Sequence, residues 1–331
     1  MKRFARSTEM TLLVIGVVFF VFLVIASHGD LLSANSLRVL LQFLAVPVLI
    51  GLAQMVVLAV GQLNLAVGAI GGFAACAMGV LMADHGVPVP LALLMGFLLS
   101  AVAGLLNGVL VVLTRINGFI VTLATMTVLL GVQYRLVGTR TVDAYPQGLK
   151  DFGSSALFGV LPSIFLVALV VAGALSVLLR RTVPGRRLLA SGGNPIAARL
   201  SGISNDRSVV VAHTLSGAIL GVAAILTVAS SPGVNKSIGG DWLLPSFAAP
   251  IIGGALLTGG SAVVLGTVLA AFIVRFVDTA RAEFSLEPSW VNFVVGAVVL
   301  GSVVLGQVRT RRQERRSVVR APGATVAGGV S

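Results

Sequence analysis

Runs of about twenty apolar residues recur along this chain, separated by short polar breaks. Each run is long enough to cross the roughly 30 Å hydrocarbon core of a bilayer as a helix. Lipid offers no partner for a free backbone N–H or C=O, so only helices and closed barrels span it. Barrel strands would read as alternating segments of about ten residues, and these runs do not alternate. The chain is therefore expected to be an all-α polytopic membrane protein. Its make-up agrees, with 57% hydrophobic and only 10% charged residues in 331. The 39 glycines suit close helix packing through small side chains. The single cysteine, Cys76, lies in an apolar run and reads as a buried structural thiol.

The expected spans cover residues 10–27, 37–60, 65–83, 91–114, 118–137, 156–179, 208–229, 246–257, 262–279 and 291–308. Counting 246–257, which is short for a full crossing, gives about ten transmembrane helices. Residues 1–9 form a basic lead. No small-residue cleavage site follows the first run, so it is kept as a span and not a signal peptide. Residues 10–308 form one transmembrane domain, interrupted by a basic loop at 180–207. Residues 309–331 form a basic, small-residue tail expected to be disordered.

Charge sets the orientation. With the N-terminus cytoplasmic, sixteen of the 23 basic residues face the cytoplasm and eight of the 11 acidic residues face outward. This is the positive-inside bias. It places both the N- and C-termini in the cytoplasm and requires 246–257 to act as a crossing. The net charge of +12 is thus topological and faces membrane lipid, and calls for no nucleic-acid partner.

The loop at 180–207 is the longest polar interruption. Within it Asn194 is suited to cap a helix, and Pro195 is tolerated at the first helical position. Ile196, Ala197, Ala198, Arg199 and Leu200 continue the helix, Ser201 ends it, and Gly202 supplies a left-handed stop. Ile196 and Leu200, four apart, share one face. A short helix with a small apolar face on a basic loop is shaped to dock into a partner's groove. An ordinary surface helix is the plainer alternative.

Catalytic and energy-coupling sets are missing from the sequence. The stretch GVNKS at 233–237 lacks the glycines of a phosphate loop. His28, His85 and His213 are far apart and form no metal-spaced cluster. Asp278 is the nearest approach to an intramembrane acid, and it is flanked by Arg275 and Arg281, with which pairing is expected. What remains at membrane depth is neutral and polar: Gln42, Gln54, Gln62, Asn64, Asn107, Thr122, Thr125, Gln133 and Asn292. Such groups join helices, at about 0.6 kcal/mol each, or line a path for an uncharged polar solute. Gln54, Gln62, Asn64, Asn107, Thr122, Thr125 and Asn292 are the candidate path residues. Two glycine-interrupted segments, 61–72 and 253–266, occupy corresponding places in the two halves, as broken spans do in transporters.

At these residues the chain resembles a known family. GGNPIAARLSGI at 192–203 is similar to the cytoplasmic signature of the ribose-type permease subunits of bacterial ABC importers. GQLNLAVGAI at 61–70 resembles their GGIDLSVG segment. INGFIVTLATMTVLLGV at 116–132 and IIGGALLTGGSAVVLGTVLAA at 251–271 resemble two further motifs, and the four occur in the family's order. The resemblance runs from about residue 37 to 307. It implies a bacterial inner-membrane permease that works as a dimer with an identical or paralogous permease, two cytoplasmic ABC ATPase subunits and an extracytoplasmic sugar-binding protein. ATP and magnesium would sit on the ATPase, and this chain would bind no cofactor. The helix at 194–201 would be the coupling helix, with Arg199, Arg186 and Arg187 as polar contacts. The solute would be a monosaccharide such as ribose. Ala198 is expected to meet the ATPase, so a bulky acid there should break docking and spare the membrane fold. Gln62 and Asn64 depart from the family's second glycine and its aspartate. The alternative from a different class is an ATPase-independent secondary transporter or channel, which would need ion-coupling residues at mid-membrane.

Overall fold

The computed structural model describes residues 2–143, 145–284, 287, 293 and 296–297. Asn292, most of the expected span at 291–308 and the tail lie outside the described residues. Twelve α-helices are present among the described residues, and the only strands there are two dipeptides, Ala156–Leu157 and Leu161–Pro162, paired as a small hairpin. The protein is an all-α polytopic membrane protein, as the apolar runs require.

Among the described residues six helices are long and apolar enough to cross a bilayer. They include most of α1 (Lys2–Ala26) and all of α2 (Ala34–Ala59), α4 (Val89–Thr114), α5 (Gly118–Val137), α7 (Ser163–Arg181) and α10 (Asn205–Ser230). Their ends are written locally. Ser33 caps α2 by accepting from the Ser36 N–H, Asn117 caps α5 through Phe119, and Ser204 caps α10 through Arg207. The remaining helices are α3 (Val67–Ala83), α6 (Gln147–Ser154), α8 (Val183–Gly193), α9 (Pro195–Leu200), α11 (Leu243–Ile252) and α12 (Val264–Glu283).

The core is built around α2. Leu44, Leu49, Leu52, Met55 and Leu58 are fully enclosed, and α2 packs on α7, α10, α11 and α12. Helix α10 lies against α4 at glycine distance: a Cβ on Gly104 would fall 2.9 Å from the Gly217 Cα. Helix α1 stands at the edge and meets α12 through Phe19, Phe20 and Phe276.

Two expectations need correction. The loop at 180–207 holds two helices, not one. Thr182 caps the unforeseen α8 by accepting from the Gly185 N–H, and Gly185, Leu188, Ser191 and Gly192 form its buried face. Arg186 and Arg187 lie on the opposite, exposed side.

The second concerns 230–257. The sequence suggests a polar loop followed by a short span. In the structure, residues 234–242 form a leg of successive turns laid along α3, in which the Ile238, Gly240 and Trp242 N–H groups donate to the Asn235, Ser237 and Gly239 carbonyls. Val234 bridges Val142 at one end. Farther along, a Cβ on Gly72 would meet the Ile238 carbonyl at 2.2 Å, and one on Gly68 would meet the Gly239 carbonyl at 2.0 Å. Trp242 then covers Gly71, and α11 begins. Ten helical residues reach only about 15 Å. The leg supplies the rest of the path. Together they carry the chain from the Val142 end of the molecule to Gly259 and Gly260, which lie beside Ala59 and Gly61. The physical reason is the row Gly68, Gly72, Cys76 and Gly79 on one face of α3, which leaves a groove as wide as a backbone. A leg at this depth needs partners for its carbonyls, and Gln133 supplies them. Its Nε2 donates to Lys236 at 3.3 Å and Ile238 at 3.0 Å.

Candidate functional site

The site is the end of the molecule that carries α8 and α9. Asn194 leaves α8 and caps α9, its Oδ1 accepting from the Ala197 N–H at 3.0 Å. Pro195 takes the first helical position. At the other end the Ile203 N–H bonds the Ala198 carbonyl at 2.9 Å and the Gly202 N–H bonds Arg199 at 3.0 Å. With Gly202 at φ 77°, this is a Schellman stop. The capped six-residue helix stands where the sequence places it.

Its faces are distinct. Ile196 is 68% exposed and Leu200 86%, so both apolar side chains face away from the protein. Asn194, Ala197 and Arg199 are exposed with them. Ala198 is 4% exposed and turns inward. The expectation that an acid at Ala198 would spare the fold is thereby corrected: that methyl group supports the helix from beneath. The surface open to a partner is Ile196, Leu200 and the arginines.

Beside α9 opens a cleft of about 760 Å³, lined by Gln62, Arg115, Asn117, Pro195, Arg199 and Asp206 among others. Arg115, in the turn between α4 and α5, pairs in bidentate fashion with Asp206, at 2.8 and 2.9 Å. Hydrogen bonding to Asp206 raises the pKa of Arg115 above the usual guanidinium value. At the outer corner Arg180 lies 3.6 Å from Glu9, tying the end of α7 to α1.

The two glycine-interrupted segments meet directly under α8. The Gly260 N–H donates to the Ala59 carbonyl at 2.9 Å. Gly259 and Gly260 both have φ in the left-handed range, at 91° and 78°. A Cβ on Gly192 would sit 1.9 Å from the Ala59 carbonyl oxygen and 2.7 Å from the Gly260 nitrogen. Three pieces of backbone touch here with no side chain between them.

From this junction the chain enters the break before α3. Asn64 is fully buried there. Its Oδ1 accepts from the Ala66 N–H at 3.0 Å, and its Nδ2 faces Ser216 Oγ at 3.4 Å. Thr122 Oγ1 accepts from the Leu65 N–H at 3.0 Å. Asn64 and Thr122 therefore serve the exposed backbone of the break. A carboxylate at position 64 would keep the bond to Ala66 but offer Ser216 no N–H donor, and would place a charge in the interior. The amide is the neutral solution for this chain.

The other polar candidates are dispersed. Gln62 lines the cleft. Thr125 is half-buried on α5 and bonds the Val121 carbonyl. Gln54 and Asn107 are buried, and neither side-chain amide has a hydrogen-bond partner among the described residues. His213, which the sequence does not mark as a site residue, shares that state on α10 and lies against Gly108. Asn205 and Ser216 also join the site without a sequence signal of their own, because each acts on another segment, and Gln133, one of the neutral polar residues of the sequence, holds the carbonyls of Lys236 and Ile238. No group of three or more His, Cys, Asp or Glu side chains suited to a metal occurs among the described residues.

Comparison with known proteins agrees with this architecture. Residues 36–303 match the family described as "Branched-chain amino acid transport system / permease component". The chain is 30% identical over 318 residues to the autoinducer 2 import system permease protein LsrC of Enterobacter sp. strain 638, covering 95% of this chain and 92% of the relative. It is 32% identical over 297 residues to LsrC of Klebsiella pneumoniae, covering 87% and 86%. It is 29% identical over 273 residues to the autoinducer 2 import system permease protein LsrD of Escherichia coli O157:H7, covering 80% and 82%. No solved structure matches the chain.

Proposed function

The chain belongs to the permease family that its residues 36–303 match, and from that premise we propose that it carries a neutral, sugar-type solute inward as the membrane subunit of an ATP-binding cassette importer. It is a multi-pass inner-membrane transport subunit and not an enzyme. The observation that carries the proposal is α9: a capped helix held rigidly from beneath by Ala198 and presenting Ile196 and Leu200 outward. In this reading α9 enters a groove of a cytoplasmic ATPase, with Arg186, Arg187 and Arg199 at its rim. ATP and magnesium reside on that subunit. The α9 end is the cytoplasmic end, and the basic loop 180–207 belongs to the single transmembrane domain 10–308.

The full count is ten crossings with both termini in the cytoplasm. Six are the long helices. The others are α3, the leg 234–242 continued by α11, α12, and the expected span 291–308, most of which lies outside the described residues. A solute-binding protein delivers cargo at the opposite face, and a second permease, identical or paralogous, completes the pathway. The relatives named LsrC and LsrD support pairing of two such chains, because both names belong to one import system. The same names favour a furanose-like signalling sugar of the autoinducer 2 kind over ribose as the cargo.

For the path we keep the neutral polar set Gln54, Gln62, Asn64, Asn107, Thr122, Thr125 and Asn292. The unpartnered amides of Gln54 and Asn107 support it, since native proteins rarely leave such groups without a use.

The test is purification of the tagged chain in mild detergent, with co-purifying subunits identified by mass spectrometry, followed by uptake of autoinducer 2 and of ribose into proteoliposomes with and without ATP. An ATPase in the complex and ATP-dependent uptake of one sugar support the reading. A lone chain that moves solute without ATP overturns it.

A further inference from the structure

One side chain ties together the three helices that meet at α9. Asn205 Nδ2 donates to the Pro195 carbonyl at 2.9 Å, and its Oδ1 accepts from Ser191 Oγ at 2.9 Å. Asn205 thus holds the start of α9, the last turn of α8 and its own first turn of α10. The next residue, Asp206, is clamped by Arg115. These bonds fix the relative positions of four chain segments.

The same end of α8 is tied a second time. Gly192 and Gly193 lie on the backbone of Gly260 and Ala59, so close that no Cβ fits at Gly192. Gly259 in turn approaches Gly61, where the break before α3 begins. Backbone packed on backbone has no rotamer with which to absorb a push, and close-packed interiors transmit strain. A displacement of α9 therefore reaches α8 through Asn205, then the glycine junction, then Gly61 and the hydrogen-bonded set of Asn64, Thr122 and Ser216. One connected path of named contacts joins the exposed helix to the break before α3.

We propose that Asn205 is the positioning residue that makes α8, α9 and the first turn of α10 move as one body, and that the junction of Gly192, Gly260, Ala59 and Gly61 is the joint that passes this motion to the break before α3. The proposal rests on the importer reading of α9. It adds which residues of this chain convert docking into movement, as distinct from those that dock.

The experiment uses the complete complex in proteoliposomes, with uptake and ATP hydrolysis measured on the same preparation. Asn205→Ala removes both hydrogen bonds. Asn205→Asp keeps the acceptor for Ser191 and loses the donor to Pro195. Gly192→Ala wedges the joint. Both Asn205 variants are expected to retain the ATPase on purification and to hydrolyse ATP within about twofold of the parent, while solute moved per ATP falls about tenfold. Gly192→Ala is expected to show the same split, and if it does not assemble the Asn205 variants decide alone. Parental solute per ATP in Asn205→Ala overturns the proposal. So does a parallel fall of uptake and hydrolysis at a constant ratio, which a merely structural role would give. If the parent chain itself retains no ATPase, the importer reading fails, and this inference with it.

Discussion

The side-chain amide of Gln133 donates to the carbonyl of Ile238 at 3.0 Å, across the space between α5 and the leg at 234–242. The same nitrogen also reaches the Lys236 carbonyl. One residue of α5 thus receives carbonyls that the turns of this segment leave unpaired. Gln133→Leu keeps the volume and removes the donor. Thermal unfolding in detergent should show a loss of about 1–3 kcal/mol, the penalty for leaving buried carbonyls unpaired. An unchanged midpoint would mean that the leg does not depend on Gln133.

Cys76 is a built-in reporter for the leg. Its Sγ lies 3.3 Å from the Asn235 carbonyl and is fully enclosed. In the parent protein a maleimide reagent should label it slowly. Gly72→Ala places a methyl group where the Ile238 carbonyl now sits. The leg must lift, and labelling should accelerate by about tenfold or more, through local opening. Equal labelling rates in the two proteins would argue against the packing described here.

The exposed face of α9 separates docking from folding. Leu200→Asp and Ile196→Asp put charge where a partner's apolar groove is proposed, and should abolish ATPase retention with no change in unfolding temperature. Ala198→Glu acts on a buried methyl group. It should lower stability by several kcal/mol, because an unpaired charge is forced inward. A stable Ala198→Glu protein would contradict the inward orientation of that residue.

Gln54→Leu and Asn107→Leu test the unpartnered amides. Each replaces a buried polar group by an apolar one of similar size, which is neutral or stabilising when the polar group has no partner. The expected result is an unchanged or raised melting temperature with uptake reduced about tenfold. Full uptake in both variants would remove these residues from the path.

Asp84, at the end of α3, pairs with Arg140, in the loop after α5. The hydrogen bonds from Arg140 hold the Asp84 carboxyl below the usual carboxylate range. The folded value is therefore lower than the unfolded one near 3.9. The stabilisation is complete above that pH and is lost as pH falls through the lower, folded value. Both groups are solvent-exposed, so the effect is small. Unfolding midpoints compared between pH 7 and pH 3 should converge for the parent and Asp84→Asn. Parallel curves would show that the pair contributes nothing.

Much of this architecture is legible locally. The apolar runs fix the spans, and the cap and stop of α9 are written in Asn194, Pro195 and Gly202. The interrupted segments are also visible as glycine clusters. Their meeting is not, because nothing near Gly61 refers to Gly260, 199 positions away. Helix α8 escapes notice because its buried face is made of Gly185, Leu188, Ser191 and Gly192, a pattern with one large apolar residue. The leg escapes because Lys236, Ser237 and Asp241 give it the composition of a surface loop. Its polarity is tolerated only because Gln133 and the groove on α3 receive its backbone.

The leg also changes what a deletion would mean. Surface loops accept insertions and deletions readily. In a helix, removing one residue rotates everything beyond it by about 100° and shortens it by about 1.5 Å. In 234–242 a deletion would break the succession of turns that sets the Ile238 and Gly239 carbonyls against Gly72 and Gly68, and would displace α11 from Trp242 onward. A stretch with a loop's composition thus carries a ruler's constraint: its residue identities can drift, but its length is fixed by the distance from Val142 to Gly61.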